Sequence, residues 1–136
     1  MEPGLYLPAV TVTDIIGNTY TATVLVNVLD AASMDDLFKR IWNGMKTSLQ
    51  TGDTAGALNY FIPGSRDKYS AAFSALQSAV PQIANDMKDI EQVYVSNNVT
   101  KYRIKRDQVI DGQYKTVSYY IYFVRDQDGQ WKLDEF

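Results

Sequence analysis

The chain has 136 residues, 46% of them hydrophobic and 21% charged, with 8 Gly and 4 Pro. That composition excludes a disordered or low-complexity chain, and the length fits one compact domain, or one domain plus a short appendage. A net charge of −3 and a pI near 4.8 supply no basic field for nucleic acid or anionic membrane. Histidine and cysteine are both absent, which removes His-based triads, thiol catalysis, disulfides and the usual zinc sites.

Residues 1–30 contain Glu2, Asp14 and Asp30 and no Lys or Arg, whereas 31–136 are neutral. No apolar run approaches the ~18 residues of a membrane span, and residues 1–20 lack a basic stretch followed by an apolar core. Val10 to Thr13 and Tyr20 to Leu29 read as strands separated by Gly17-Asn18. The second run alternates Tyr20, Ala22, Val24, Val26 and Val28 against Thr21, Thr23, Leu25 and Asn27, the pattern of a strand with one buried face. An isolated hairpin is marginal in water. Residues 1–30 are therefore read as a β-strand lead-in, the end of an upstream β-domain or a hairpin docked on the remainder.

The first helix is expected from Ser33, whose spacing to Asp36 is that of a capping box. Met34, Leu37, Phe38, Ile41, Trp42, Met45 and Leu49 then form an apolar stripe at helical spacing. Gly52 suits the position just past a helix end and Asp53 the next N-cap. A short helix carrying Ala57, Leu58, Tyr60 and Phe61 is expected to stop at Pro63-Gly64. A third, capped by Ser65, runs through Tyr69, Phe73 and Leu76 until Pro81 breaks it, and Ile83, Met87 and Ile90 give one more short amphipathic helix.

The last 45 residues read as four strands: one opened by Val93 to Val95, then Val99 to Arg106, Lys115 to Arg125 and Gln130 to Phe136. Asp111-Gly112 is a two-residue type I′ turn signal. It sets Ile110 opposite Gln113, with partner numbers summing to 223 onward. Ile104 then faces Tyr119, and Tyr102 faces Ile121, on one apolar side. Arg103 faces Tyr120 and Lys101 faces Tyr122 on the other. A slip of one residue would mix the two faces. Gln127-Asp128-Gly129 is read as a three-residue loop, which brings Phe123 opposite Leu133.

The fold expected is α+β, with N-terminal helices packed on the apolar face of a curved antiparallel sheet and a short hairpin or strand lead-in before them. The segments "LQTGDTAGALNYF", "YSAAFSAL" and the closing "YYIYFVRDQDGQWKLDEF" resemble the nuclear transport factor 2-like superfamily, the SnoaL-like, cystatin-like cone, over about residues 31–136. That resemblance implies a sheet wrapped round a long helix with a pocket at the open end. It also implies a range of roles, from ketosteroid isomerases, polyketide cyclases and dehydratases to non-catalytic binding and dimerisation modules.

Trp42, Tyr60, Tyr69, Tyr102 and Tyr119 are expected to face the helix–sheet interior, as core filling or as the walls of a pocket for a small apolar ligand. Asp35, Asp36, Asp53, Asp111, Asp126 and Asp128 each have a cap, turn or solvent position to explain them. Asp35 and Asp36 point about 100° apart on a helix and cannot chelate together. No catalytic residue, cofactor or metal is assigned. Lys101, Arg103 and Lys105 beside Tyr120 and Tyr122 form a cationic, aromatic outer face. It reads as a solvated sheet surface or as a contact with a protein partner or a second copy. Single-stranded nucleic acid fits the tyrosines but not the charge of the domain.

The functional expectation is a non-catalytic binding or accessory module, the C-terminal domain of a longer bacterial extracytoplasmic protein. The competing expectation is a small-pocket isomerase or dehydratase using Tyr and Asp as acid and base.

Overall fold

The computed structural model describes residue 2 and residues 4–136. They divide into two compact units, one up to Asp35 and the other from Asp36 to Phe136. The architecture is α+β.

In the first unit β1 (Gly4–Tyr6) pairs antiparallel with β4 (Val26–Val28), and β2 (Ala9–Thr13) with β3 (Thr19–Thr23). Partner numbers sum to 32 in both pairs, so the four strands are one hairpin in one register. The run from Tyr20 to Leu29 is thus two strands rather than one. Pro8 lies opposite the break. It has no N–H to give the ladder, though its carbonyl still accepts from Val24 N at 3.1 Å. At the tip, Asp14 Oδ1 accepts from Ile16 N at 3.0 Å and Asn18 N at 2.8 Å. Val10 pairs with Ala22 and Val12 with Tyr20, so the alternation read in sequence does sort an apolar face from a threonine face. That apolar face is not buried: Val10, Val12 and Tyr20 are 65%, 57% and 61% exposed.

Helix α1 (Ala31–Gln50) begins two residues before the expected Ser33. Asp30 is the residue that caps it, its Oδ1 accepting from Ser33 N at 2.7 Å. That bond is the leading reason its carboxyl lies below the usual Asp range. Ala31 and Ala32 are good helix formers and allow the earlier start. The helix buries Phe38, Trp42, Met45 and Leu49, each contributing about 1.5–3 kcal/mol. It ends as expected: Gly52 N donates to Leu49 O at 3.0 Å and Asp53 N to Ser48 O at 2.9 Å, the paired bonds of a Schellman stop. Asp53 then caps α2 (Thr54–Leu58), accepting from Gly56 N at 2.8 Å.

The two prolines act differently from the sequence reading. Pro63 does not stop a helix; it opens α3 (Pro63–Leu76), where a missing N–H costs nothing. Ser65 caps nothing and instead donates to Asp134 Oδ1 at 2.9 Å. Pro81 likewise sits in the first turn of α4 (Val80–Asp86). The break falls earlier, at Gln77, where φ is 44° and ψ −119°. An L-residue held there carries roughly 1–3 kcal/mol of strain. One 3₁₀ turn, Gln77–Ala79, joins α3 to α4.

The second unit's sheet has the order β5 (Glu91–Val95), β6 (Val99–Ile110), β7 (Gln113–Arg125), β8 (Trp131–Glu135), all antiparallel. The β6–β7 register is the expected one from Ile110↔Gln113 to Val99↔Val124. Asp111 and Gly112 both have positive φ, 52° and 74°, as a type I′ turn requires. The last turn is the three-residue loop. Asp126 N donates to Gln130 O at 2.8 Å, Gly129 has φ 78°, and Phe123 pairs with Leu133.

Buried Tyr102, Ile104, Ile121, Phe123 and Leu133 share the face that meets the helices. Phe38 of α1 lies 5.0 Å, ring centre to ring centre, from both Phe123 and Trp131, and 5.6 Å from Tyr102. Phe61 adds a parallel bridge beside Leu133.

Candidate functional site

The five interior aromatics do not converge on one pocket. Trp42 is 1% exposed, and its Nε1 donates to Lys88 O at 3.1 Å. Tyr102 is fully buried, its ring edge-on to Phe123 at 5.6 Å. Both serve the core. Tyr60 is half-buried against the backbone of α1. A Cβ placed on Gly44 would come within 2.5 Å of its hydroxyl oxygen, so only glycine lets the ring lie there.

Tyr119 departs from the expectation. It pairs with Ile104 as foreseen but is 43% exposed, and its hydroxyl accepts from Gln108 Nε2 at 2.7 Å. Ile104 is the last buried residue of β6, and from Lys105 and Ser118 to the turn both strands are exposed or half-buried, because the hairpin outruns the helices that cover its base. Tyr119 thus keeps the expected face but is not enclosed in the interior, which corrects its place among the pocket residues.

Tyr69 lines an apolar cavity. Its walls come from Leu49 of α1, Phe73 and Leu76 of α3, Val80 and Ile83 of α4, and Phe136, around a volume of about 130 Å³. Ala72 and Met87 complete it. The Tyr69 hydroxyl is not offered to this space. It donates to Phe136 O at 3.1 Å and accepts from Phe136 N at 2.8 Å. Burial pushes its acidity to a pKa above the usual 10.0 for Tyr. No Asp or Glu side chain lines the cavity. Sequence reasoning named Tyr69 as a pocket residue but not the walls around it, because they come together at the joint at Gln77, a residue type that carries no turn signal.

On the outer sheet face the expected partners do meet. Lys101 Nζ stands 3.7 Å from the centre of the Tyr120 ring and 5.4 Å from that of Tyr122. Glu91, opposite Arg103 on β5, takes up the other two cations: Arg103 Nε is 3.2 Å and Lys105 Nζ 2.9 Å from its Oε2. Those two bonds, Lys105 first, hold the Glu91 carboxyl below its usual range. The basic residues of this face are therefore paired or stacked within the chain, which weakens any field toward a phosphate backbone.

An open polar cleft of about 680 Å³ lies between the end of α4 and β6, lined by Asp86, Lys88, Asp89, Lys105, Arg106 and Asp107. Its three acidic and three basic side chains balance in charge. Among the described residues no cluster of three or more acidic side chains could hold a metal, and no helix is long and apolar enough to cross a membrane. Comparison with protein-family models, with curated proteins and with solved structures finds no match.

Proposed function

We propose that the chain is a non-catalytic binding or accessory module of the nuclear transport factor 2-like, cone-shaped kind, acting through the outer face of its sheet on a protein partner, in the first place a second copy. The observation that carries this reading is the Lys101 ammonium held between Tyr120 and Tyr122, with Tyr120 45% exposed. Tyrosines and cations whose charges are already satisfied can be buried against a protein without leaving an ion unpaired. The domain belongs, in this reading, to a longer bacterial extracytoplasmic protein. An isomerase or dehydratase reading finds less support, since Tyr69, the one tyrosine at the cavity, has its hydroxyl committed to Phe136.

Sedimentation velocity on the parent chain and on the Arg103→Glu, Tyr120→Ser double variant tests the proposal. The parent is expected to associate with rising concentration and the variant to stay monomeric. Tyr120 is exposed, but Arg103→Glu replaces the ion pair with Glu91 by two facing carboxylates, so a loss of up to about 1 kcal/mol with the fold retained is expected. A parent that is monomeric at every concentration removes the second copy as partner. A double variant that unfolds would show that this face is part of the core.

A further inference from the structure

The cavity at the α3–α4 joint is a place where two helices fail to close on each other. Phe73 and Leu76 end α3, Val80 and Ile83 begin α4, and between the two pairs the backbone passes through Gln77 in a conformation proper to glycine. A strained residue persists only where its surroundings over-determine it, and such positions gather at functional sites. Here the strained joint fixes the angle at which α4 leaves α3, and the space left between them is the cavity. Its walls are hydrocarbon. The single hydroxyl, that of Tyr69, spends both its donor and its acceptor on Phe136. Neither water nor an ion has partners in such a space.

We infer that this cavity binds a compact, uncharged, apolar molecule of single-ring size. Volume and lining together set the class. An apolar cavity of about 150 Å³ stays dry and accepts benzene, and this one measures about 130 Å³. A long chain or a fused ring system exceeds it. A ligand bearing a hydroxyl would bury that group without a partner and bind more weakly. Entry is from the α3 side, where Ala72 is exposed and Leu76 is 44% exposed. The inference deepens the binding-module reading by naming a ligand class, and it stands apart from the outer sheet face.

Methyl-resolved NMR titrations with toluene and with phenol decide it. Toluene is expected to shift the methyl signals of Leu49, Leu76, Val80 and Ile83 and to raise the melting temperature. Phenol, of similar size, should bind about tenfold more weakly. Ala72→Phe, at an exposed helix position, should fill the mouth and abolish the toluene shifts. Leu76→Trp provides a second block should the first variant fold poorly. The inference is overturned if toluene leaves those signals unmoved up to its solubility in water. It is equally overturned if the shifts spread to Val10, Val12 and Val24 of the exposed hairpin, or if a folded blocking variant binds toluene unchanged. Sedimentation of the parent, run separately, reports on the outer face whatever the titration shows.

Discussion

Tyr69 and Phe136 close a ring of two hydrogen bonds. The tyrosine hydroxyl accepts from the Phe136 N–H at 2.8 Å and donates to its oxygen at 3.1 Å, while the two aromatic rings stack 5.0 Å apart at 12°. Tyr69→Phe keeps the stack and strips both bonds from a half-buried main chain. The expected loss is about 1–3 kcal/mol, read as a fall in the urea midpoint with an unchanged slope. The titration adds a sign. Burial raises the folded pKa above the usual 10.0, so the folded state holds its proton after the unfolded state has released it. The contribution of Tyr69 is complete below pH ~10 and is lost as pH rises through the folded value. Tyr69→Phe should lose less stability than the parent between neutral pH and the alkaline limb.

Lys132 bridges two carboxylates, at 2.8 Å from Asp126 Oδ2 and 2.8 Å from Asp128 Oδ2. Its hydrogen bonds are the first cause holding both acids below their usual 3.8. A depressed folded pKa stabilises above the unfolded value and ceases to do so as pH falls through the folded one. The parent should therefore weaken on acidification below about pH 4, and Lys132→Met should weaken less steeply there. Urea midpoints measured from pH 6 down to pH 2 give the two slopes. Parallel curves would dismiss the bridge as a stabilising element.

Gly44 and Tyr60 make a coupled pair. Alanine is worth about 1 kcal/mol over glycine inside a helix, but a Cβ at position 44 would lie 2.5–2.7 Å from the Tyr60 hydroxyl and ring. Gly44→Ala should therefore destabilise the parent chain. In a Tyr60→Ala background the same change should stabilise. A double-mutant cycle reads that reversal directly; additive effects would place Tyr60 elsewhere.

Trp42 ties the first long helix to the segment leading into the sheet, through its burial and its Nε1 bond to Lys88 O. Trp42→Ala should cost roughly 3–5 kcal/mol, enough to unfold a domain of ordinary stability. A variant melting within a degree or two of the parent would contradict the packing of α1.

How much of this was legible in the sequence follows from where each signal resides. Asp111-Gly112 and Gly129 are local signals that fix strand pairing over long distances, so the 223 register and the two sheet faces could be read residue by residue. The proline signals were ambiguous, since the same residue that ends one helix can open the next, and only packing decides. Asp30 and Ser33 competed for one cap, and the alanines between them settled the matter. Tyr119 kept its register but not its burial, because register is set by a turn and burial by how far the helices reach. The walls around Tyr69 were illegible, since they arise from the angle between two helices joined at Gln77.

The pairing of residues 60–62 with β8 has a consequence for assembly. Leu133 gives its N–H to Tyr60 O at 2.8 Å and its carbonyl to Ile62 N at 2.9 Å, so the middle of that margin of the four-stranded sheet is already occupied. The opposite margin, β5, has no neighbouring strand among the described residues and leaves Val93, Tyr94 and Val95 exposed, with a bulge between Gln92 and Tyr94. Growth of this sheet by strand addition thus has a single starting point. Two molecules joining β5 to β5 would use up both starting points at once. Association by that route ends at a pair and cannot propagate into a fibre.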